Sequence, residues 1–374
     1  MVIDNLIKHI EEWAPPGVAW DRDNVGLQVG SGGIELKNIF LCLELSEKAL
    51  TEAARRNCNF IFTHHPFIFN PIKKLNTQKD SKAALIEKLL KKNITLYSAH
   101  TNLDFSGEGV SFALAEKLKL QNVKFLNNFD SNQFKLSVFV PEKFADDISD
   151  AVFGAGGGII GRYSECSFRS NGIGTFKGSS KSSPFTGKKN NSERVEEIKI
   201  EFLVNSWNLN SAISEMLAKH PYEEPAYDIY PLKNKNSNYG EGAVGTLKQE
   251  MNENDFVAFV SKQLNAGGLR YTTGTRKKIG KVAVCGGSGA DLLNKAVASG
   301  ADAFITADIK YHTFQEAENK ILLIDAGHYE TEIHSLSFVK DRITKFLNCE
   351  KSKCKVYLYT GTTNPVKFYK QKEY

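Results

Sequence analysis

The sequence of 374 residues holds no apolar run of about 18 residues, so nothing in it reads as a transmembrane helix. Its six cysteines, Cys42, Cys58, Cys166, Cys285, Cys349 and Cys354, form no C-x-x-C pair. Neither a zinc knuckle nor a disulfide scaffold is indicated, and a reduced cytoplasm fits best. An excess of one charge is also missing. The net charge of +5 is mild for this length and does not argue for nucleic acid. The glycine-rich turn after Lys281–Cys285 has the spacing of neither a dinucleotide fingerprint nor a P-loop. Gly286-Gly287-Ser288-Gly289, which opens a helix at Ala290, offers amides that can cradle an anion, but a tight strand-to-helix turn is the default reading. Residues 1–10 alternate charge and apolarity at helical spacing, as an ordinary amphipathic helix does and a signal peptide does not.

What is present is a soluble globular balance, with 41% hydrophobic and 24% charged residues over a length that suits two or three domains. Apolar strand patterns, Ile39–Leu45, Phe60–Thr63, Ile94–Ser98, Lys281–Cys285, Ala303–Thr306 and Ile321–Asp325, alternate with amphipathic helical ones. That predicts an α/β fold, a three-layer α-β-α core with a mixed, largely parallel sheet. The texture changes near residue 130. From there to about 235 the order is β-α-β-β-α-β, that of a ferredoxin-like module. Residues 130–235 are therefore expected as an inserted α+β domain, with 1–129 and 236–374 forming a discontinuous core. Lys177 to Ser192 reads as an exposed loop whose Lys181, Lys188 and Lys189 are solvated, and residues 233–241 as a return linker.

In parallel sheets, ligands bind outside the carboxyl ends of the strands. Three such ends carry metal-ligand chemistry. Phe60-Ile61-Phe62 stops at Pro66, which leaves His64 and His65 at a strand end. Ile94–Ser98 leads to His100 and Asp104, and Ile321–Asp325 leads to His328 and Glu332. Four residues apart, His328 and Glu332 share one face of a helix. His64, His65, Asp104, His328 and Glu332 make three imidazoles and two carboxylates, more than one catalytic zinc takes. They suit two divalent ions about 3.5–4 Å apart with Glu332 as the bridge. One assignment puts His65 and Asp104 on one ion and His64 and His328 on the other. Nitrogen and oxygen donors without thiolate fit zinc above all, with iron, manganese, cobalt or nickel as alternatives. Such a pair lowers the pKa of bound water from 15.7 to about 7, which favours hydrolysis by a bridging hydroxide. His100 reads equally as a proton shuttle or ligand orienter and as a core histidine. His9, His312 and His334 have weaker cases. His220-Pro221-Tyr222-Glu223-Glu224 reads as a turn before it reads as a second metal site.

Taken together, Thr63-His64-His65-Pro66, His100–Asp104, Thr306–His312, Gly327–Glu332 and Asp23–Gly30 resemble the Nif-three-like family, whose members are often labelled GTP cyclohydrolase type 2 homologues. Gly154-Ala155-Gly156, Gly161, Tyr163, Cys166-Ser167-Phe168 and His220–Asp228 are similar to the PII/CutA-like insert of its longer bacterial members. The resemblance implies two metals on the same five positions and a ring-shaped homohexamer whose sites face an internal cavity. It also implies the cyclohydrolase label. The chain departs from the pattern at Glu44, where Asp is commoner, at Ser111, where Asn is usual, and at Gly242-Ala243-Val244-Gly245, which lacks an arginine. None of these touches the five ligands; they leave substrate choice open. The leading expectation is a cytoplasmic metal-dependent hydrolase acting on a nucleotide or a small phosphorylated or heterocyclic molecule. The competing one is a non-enzymatic metal-binding regulator whose insert senses a ligand. Nucleic-acid binding through a ring cavity is a third, and no membrane partner is expected.

Overall fold

Phe60–Thr63 is buried along its whole length, with parallel neighbours on both sides. A strand covered on both faces needs apolar residues at every position, and that is why this one reads as an unbroken apolar run. The computed structural model describes residues 1–369. Two compact units divide the chain: Met1–Asn127 with the chain from Tyr239 onward, and Asn128–Asn238.

The first unit holds two sheets where a single one was expected. The first has five strands, in the spatial order Gly26–Val29, Thr95–Ser98, Phe60–Thr63, Ile39–Cys42, Val356–Leu358. Only the Gly26–Val29 edge runs antiparallel. Phe60 and Phe62 face a layer containing Ile3, Leu6, Ile10 and Ile343, while Ile61 and Phe40 face Ala49, Leu50 and Leu89. Ile3–Trp13 is the amphipathic helix expected, with Ile3, Leu6, Ile10 and Trp13 buried at helical spacing. Six strands make the second sheet, in the order Arg270–Thr272, Leu322–Asp325, Ala303–Ala307, Lys278–Ser288, Lys235–Asn252, Gln121–Asp130. Its central pairs are parallel, and its pairings to Arg270–Thr272 and Lys235–Asn252 are antiparallel. It too is covered on both faces, by Phe256 and Val260 on one and by Leu293 and Ala296 on the other.

Register aligns the strand ends. Thr63 stands opposite both Cys42 and Ser98, with its hydroxyl 2.7 Å from that of Ser98. His64 and Ala99-His100 therefore emerge side by side. In the second sheet Thr306 stands opposite Asp325, which brings out Asp308 and His328 together.

The second unit has a four-stranded antiparallel sheet, ordered Ser167–Lys177, Ser192–Asn205, Gln133–Val140, Tyr227–Leu232. Leu136, Val138, Ile200 and Phe202 turn towards Ile148, Val152, Ala212 and Met216 of the helices Ala145–Gly154 and Ser206–Lys219. The expected return linker needs correction: Lys235–Asn252 is one 18-residue strand. Polar composition misled there because Asn236, fully buried, hydrogen-bonds the side chains of Asn132 and Asn205. Among the described residues, no helix is long and apolar enough to cross a membrane.

Candidate metal centre

Glu332 sits 3% exposed in the short helix His328–Glu332, and three imidazoles converge on it. Its Oε1 lies 3.0 Å from His328 Nε2 and 3.8 Å from His64 Nε2, and its Oε2 lies 3.1 Å from His65 Nε2. Asp104 closes the far side, with Oδ1 3.5 Å from His64 Nε2. All five sequence-chosen residues thus stand in one cluster, drawn from both sheets. Their pairing differs from the assignment above: Asp104 neighbours His64, and His65 groups with His328 and Glu332. Gly287 makes the approach possible. A Cβ there would stand 2.2 Å from Glu332 Oε1, and its φ of +62° suits glycine.

Each imidazole is held from behind through Nδ1. His64 donates to the Ala99 carbonyl at 2.8 Å, His65 to Glu44 at 2.9 Å, His328 to Asp308 at 2.6 Å and His100 to Asp23 at 2.9 Å. Outer acceptors of this kind fix the tautomer and aim Nε2 at a cation. Asp308 reaches His328 from a left-handed backbone, φ +57°, which is uncommon for a non-glycine residue. Sequence reading missed Glu44, Asp23 and Asp308 as orienting residues; the signal was a carboxylate at or near a strand end beside each histidine.

Three buried atoms of the cluster, His64 Nε2, Asp104 Oδ1 and Glu332 Oε2, make no hydrogen bond. Buried polar atoms are normally satisfied, so three orphans aimed at one spot ask for a shared partner. The field there favours a positive one. Burial raises the pKa of Glu332, but the three imidazoles outweigh it and hold the carboxyl well below the usual range. Burial lowers that of His65, yet Glu332 and Glu44 push it up to about 10. His328 is likewise driven up to about 9 by Glu332 and Asp308 against its burial. At Asp104 burial wins over His64 and His100, and the pKa rises. Imidazole nitrogens and carboxylate oxygens, with no thiolate, are the donor set of a divalent transition-metal ion. The residues fit a metal.

A model of the DUF34/NIF3 (NGG1p interacting factor 3) family matches residues 1–365. The chain belongs to the DUF34/NIF3 family. It is 35% identical to the "GTP cyclohydrolase 1 type 2 homolog" of Bacillus subtilis (strain 168) over 97% of both chains. Among solved structures it is similar to a Bacillus cereus protein related to NIF3, at 34% identity and TM-score 0.82 over 99% of each chain. A Staphylococcus aureus protein matches at 29% identity and TM-score 0.77, again over 99% of each.

In this DUF34/NIF3 chain the remaining candidate histidines lie outside the five-residue cluster. His100 stands next to the cluster, with its ring centroid 5.3 Å from that of His64 and 5.5 Å from that of His65. With His64 and His65 it forms a second group of atoms close enough to hold an ion. His9 stacks on Phe346, and His312 bonds Gln315 in the open. His334 is pushed down to about 4 by burial and by Lys117. His220 in the second unit donates from Nε2 to the Phe139 carbonyl at 3.0 Å and accepts the Tyr222 amide on Nδ1 at 3.1 Å. Both ring nitrogens are used, as the turn reading expects. The amides of Gly286, Gly287 and Gly289 are likewise taken, by the hydroxyls of Ser111, Thr331 and Thr306. They are a turn, not an anion cradle.

Proposed function

We propose that this protein is a metal-dependent hydrolase with a dinuclear centre, acting on a nucleotide or a small phosphorylated or heterocyclic substrate. His64 and Asp104 would hold one divalent ion, His65 and His328 the other, and Glu332 both. The observation that carries this reading is the trio of unbonded buried atoms, His64 Nε2, Asp104 Oδ1 and Glu332 Oε2. Bound divalent ions polarise phosphoryl or carbonyl oxygens and lower the pKa of water to about 7. The chain's own part is to fix the donors. Glu44 and Asp308 hold His65 and His328 by Nδ1, and the Asp23–His100 pair borders the same space, where it can orient a substrate group. Zinc suits the donors best, with iron, manganese, cobalt and nickel next.

The name carried by the Bacillus subtilis relative makes GTP the first substrate to try. We further propose that residues 130–235 form a PII/CutA-like insert in the 1–129 and 236–374 core. Its strand order, with the first strand between the third and fourth, supports the ferredoxin-like description. A cytoplasmic homohexamer is the assembly proposed.

The second reading is a non-enzymatic metal-binding regulator. It draws on the second unit, where Phe139, Phe176, Phe185 and Tyr222 line a cavity of about 750 Å³ together with Glu197 and Lys177. Elemental analysis of the purified protein, then a panel of GTP, other nucleotides and phosphoesters with that metal restored, decides between them. Turnover that disappears in Glu332→Ala supports the hydrolase. Absence of turnover at full metal loading sinks it and leaves the regulator. Binding of nucleic acid that weakens steeply with salt would point to the third reading instead.

A further inference from the structure

Past the edge strand Val356–Leu358 the chain stays on the first unit. The Tyr359 amide donates to the Leu41 carbonyl at 2.9 Å, and the Thr360 hydroxyl donates to the Glu52 carboxylate at 3.1 Å. Asn364 Nδ2 donates to Glu330 Oε1 at 2.8 Å, and Glu330 lies in the short helix between His328 and Glu332. Asn364 Oδ1 accepts the Val366 amide at 2.9 Å, which closes a turn around Pro365.

The segment is pinned at its far end. A Cβ on Gly267 or Gly268 would stand 2.7 or 3.0 Å from carbons of the Phe368 ring. Two successive residues without side chains let the ring lie against their backbone. That glycine pair precedes Arg270–Thr272, which pairs with Leu322–Asp325, the strand leading to His328.

Residues 359–368 therefore bond the first sheet at Leu41 and reach the short helix that carries His328 and Glu332. We propose that this segment is a strap that positions the metal ligands, holding the short helix of His328 and Glu332 through Glu330, and so slows the release of a bound divalent cation. The inference rests on the metal-binding reading above. Asn364 is the positioning residue, and Phe368 is the anchor. Glu330 lies between His328 and Glu332 in one short helix, so the strap has leverage without contacting the ion. Its own hold is modest. Phe368 remains 48% exposed and Val366 57%, so the strap opens at a small fraction of the cost of unfolding.

The test uses the full-length protein loaded with zinc alone and mixed with excess chromophoric chelator in a stopped-flow instrument. Asn364→Ala and Phe368→Ala are expected to release zinc about tenfold faster than the wild type, comparable to the low end of what loss of a ligand-orienting group costs. Gly267→Val, which evicts the Phe368 ring from the other side, is expected to do the same. Tyr369→Ala is the control, since that ring is 92% exposed, and should release at the wild-type rate. A thermal melt of each variant identifies any that misfolds, and the remaining arms then decide. Release rates indistinguishable from wild type in the folded variants overturn the strap while leaving the metal centre standing. A wild-type protein that takes up no zinc overturns both.

Discussion

His65 and His220 look alike on paper, each an imidazole followed directly by a proline. Folding separates them. His220 spends both ring nitrogens on backbone groups, the Phe139 carbonyl and the Tyr222 amide. His65 spends Nδ1 on Glu44 and turns Nε2 to a carboxylate that two other imidazoles also face. A histidine satisfied by backbone is part of a turn. One held from behind by a carboxylate, with its other nitrogen directed at a shared acid, is poised for a cation. The two units thus differ in where their polar atoms are left over: around Glu332 three buried atoms lack partners, and around His220 the ring lacks none.

The hardest blow to that contrast is Glu332→Ala. It removes the group that all three imidazoles face, and the expected result is loss of metal binding beyond the 10–100-fold that an outer partner costs. Titration calorimetry of the metal-free variant with zinc measures it. Retained affinity would mean that the convergence on Glu332 is a structural ion-pair network. Next in size is Asp308→Ala, which frees His328 Nδ1 and should weaken zinc about 10–100-fold while leaving the ligand count unchanged. If affinity is untouched, the carboxylates behind the histidines are not orienting them.

A third variant works from the other side of the comparison. His220→Ala should leave zinc stoichiometry and affinity as in the wild type. It strands the Phe139 carbonyl and the Tyr222 amide, at a cost of about 1–3 kcal/mol to the second unit. Hydrogen exchange read on the peptides around 133–140 and 220–232 would show it as faster opening there, with the exchange of 60–65 unchanged. Altered zinc binding would contradict the assignment of His220 to a turn.

How much of this was legible beforehand depends on what encodes it. The clustered residues were readable because strand ends are: Phe60-Ile61-Phe62 before His64, and Leu322–Asp325 before His328, announce themselves as apolar runs. The split of the core into two sheets was not, since two α-β-α layers and one longer one share the same alternation along the chain. The ion-by-ion pairing depends on side-chain positions that no spacing encodes. Asp308 behind His328 needed the register of two parallel strands and a left-handed residue. The strand at Lys235–Asn252 was hidden because Asn and Ser look like linker until their partners are known.

The mildest prediction sharpens the contrast by pH. Burial holds the pKa of His220 below its ordinary value, and the Phe139 carbonyl and Glu197 oppose this without cancelling it. The folded unit therefore prefers the neutral ring. A depressed pKa means that the stability it contributes is fully present above the unfolded value, about 6.5, and is lost as pH falls from there through the folded value. The cause is local. A protonated ring carries a hydrogen on Nδ1 and can no longer accept the Tyr222 amide. Hydrogen exchange at Tyr222, followed from pH 8 to pH 5 and corrected for the intrinsic pH dependence of exchange, should show protection that is flat above about 6.5 and declines below it. The decline should disappear in His220→Ala, which is less protected at every pH but flat across that window. A wild-type protection that stays flat to pH 5 would mean that the second unit holds its histidine without regard to charge, and the distinction drawn from its hydrogen bonds would lose its energetic content.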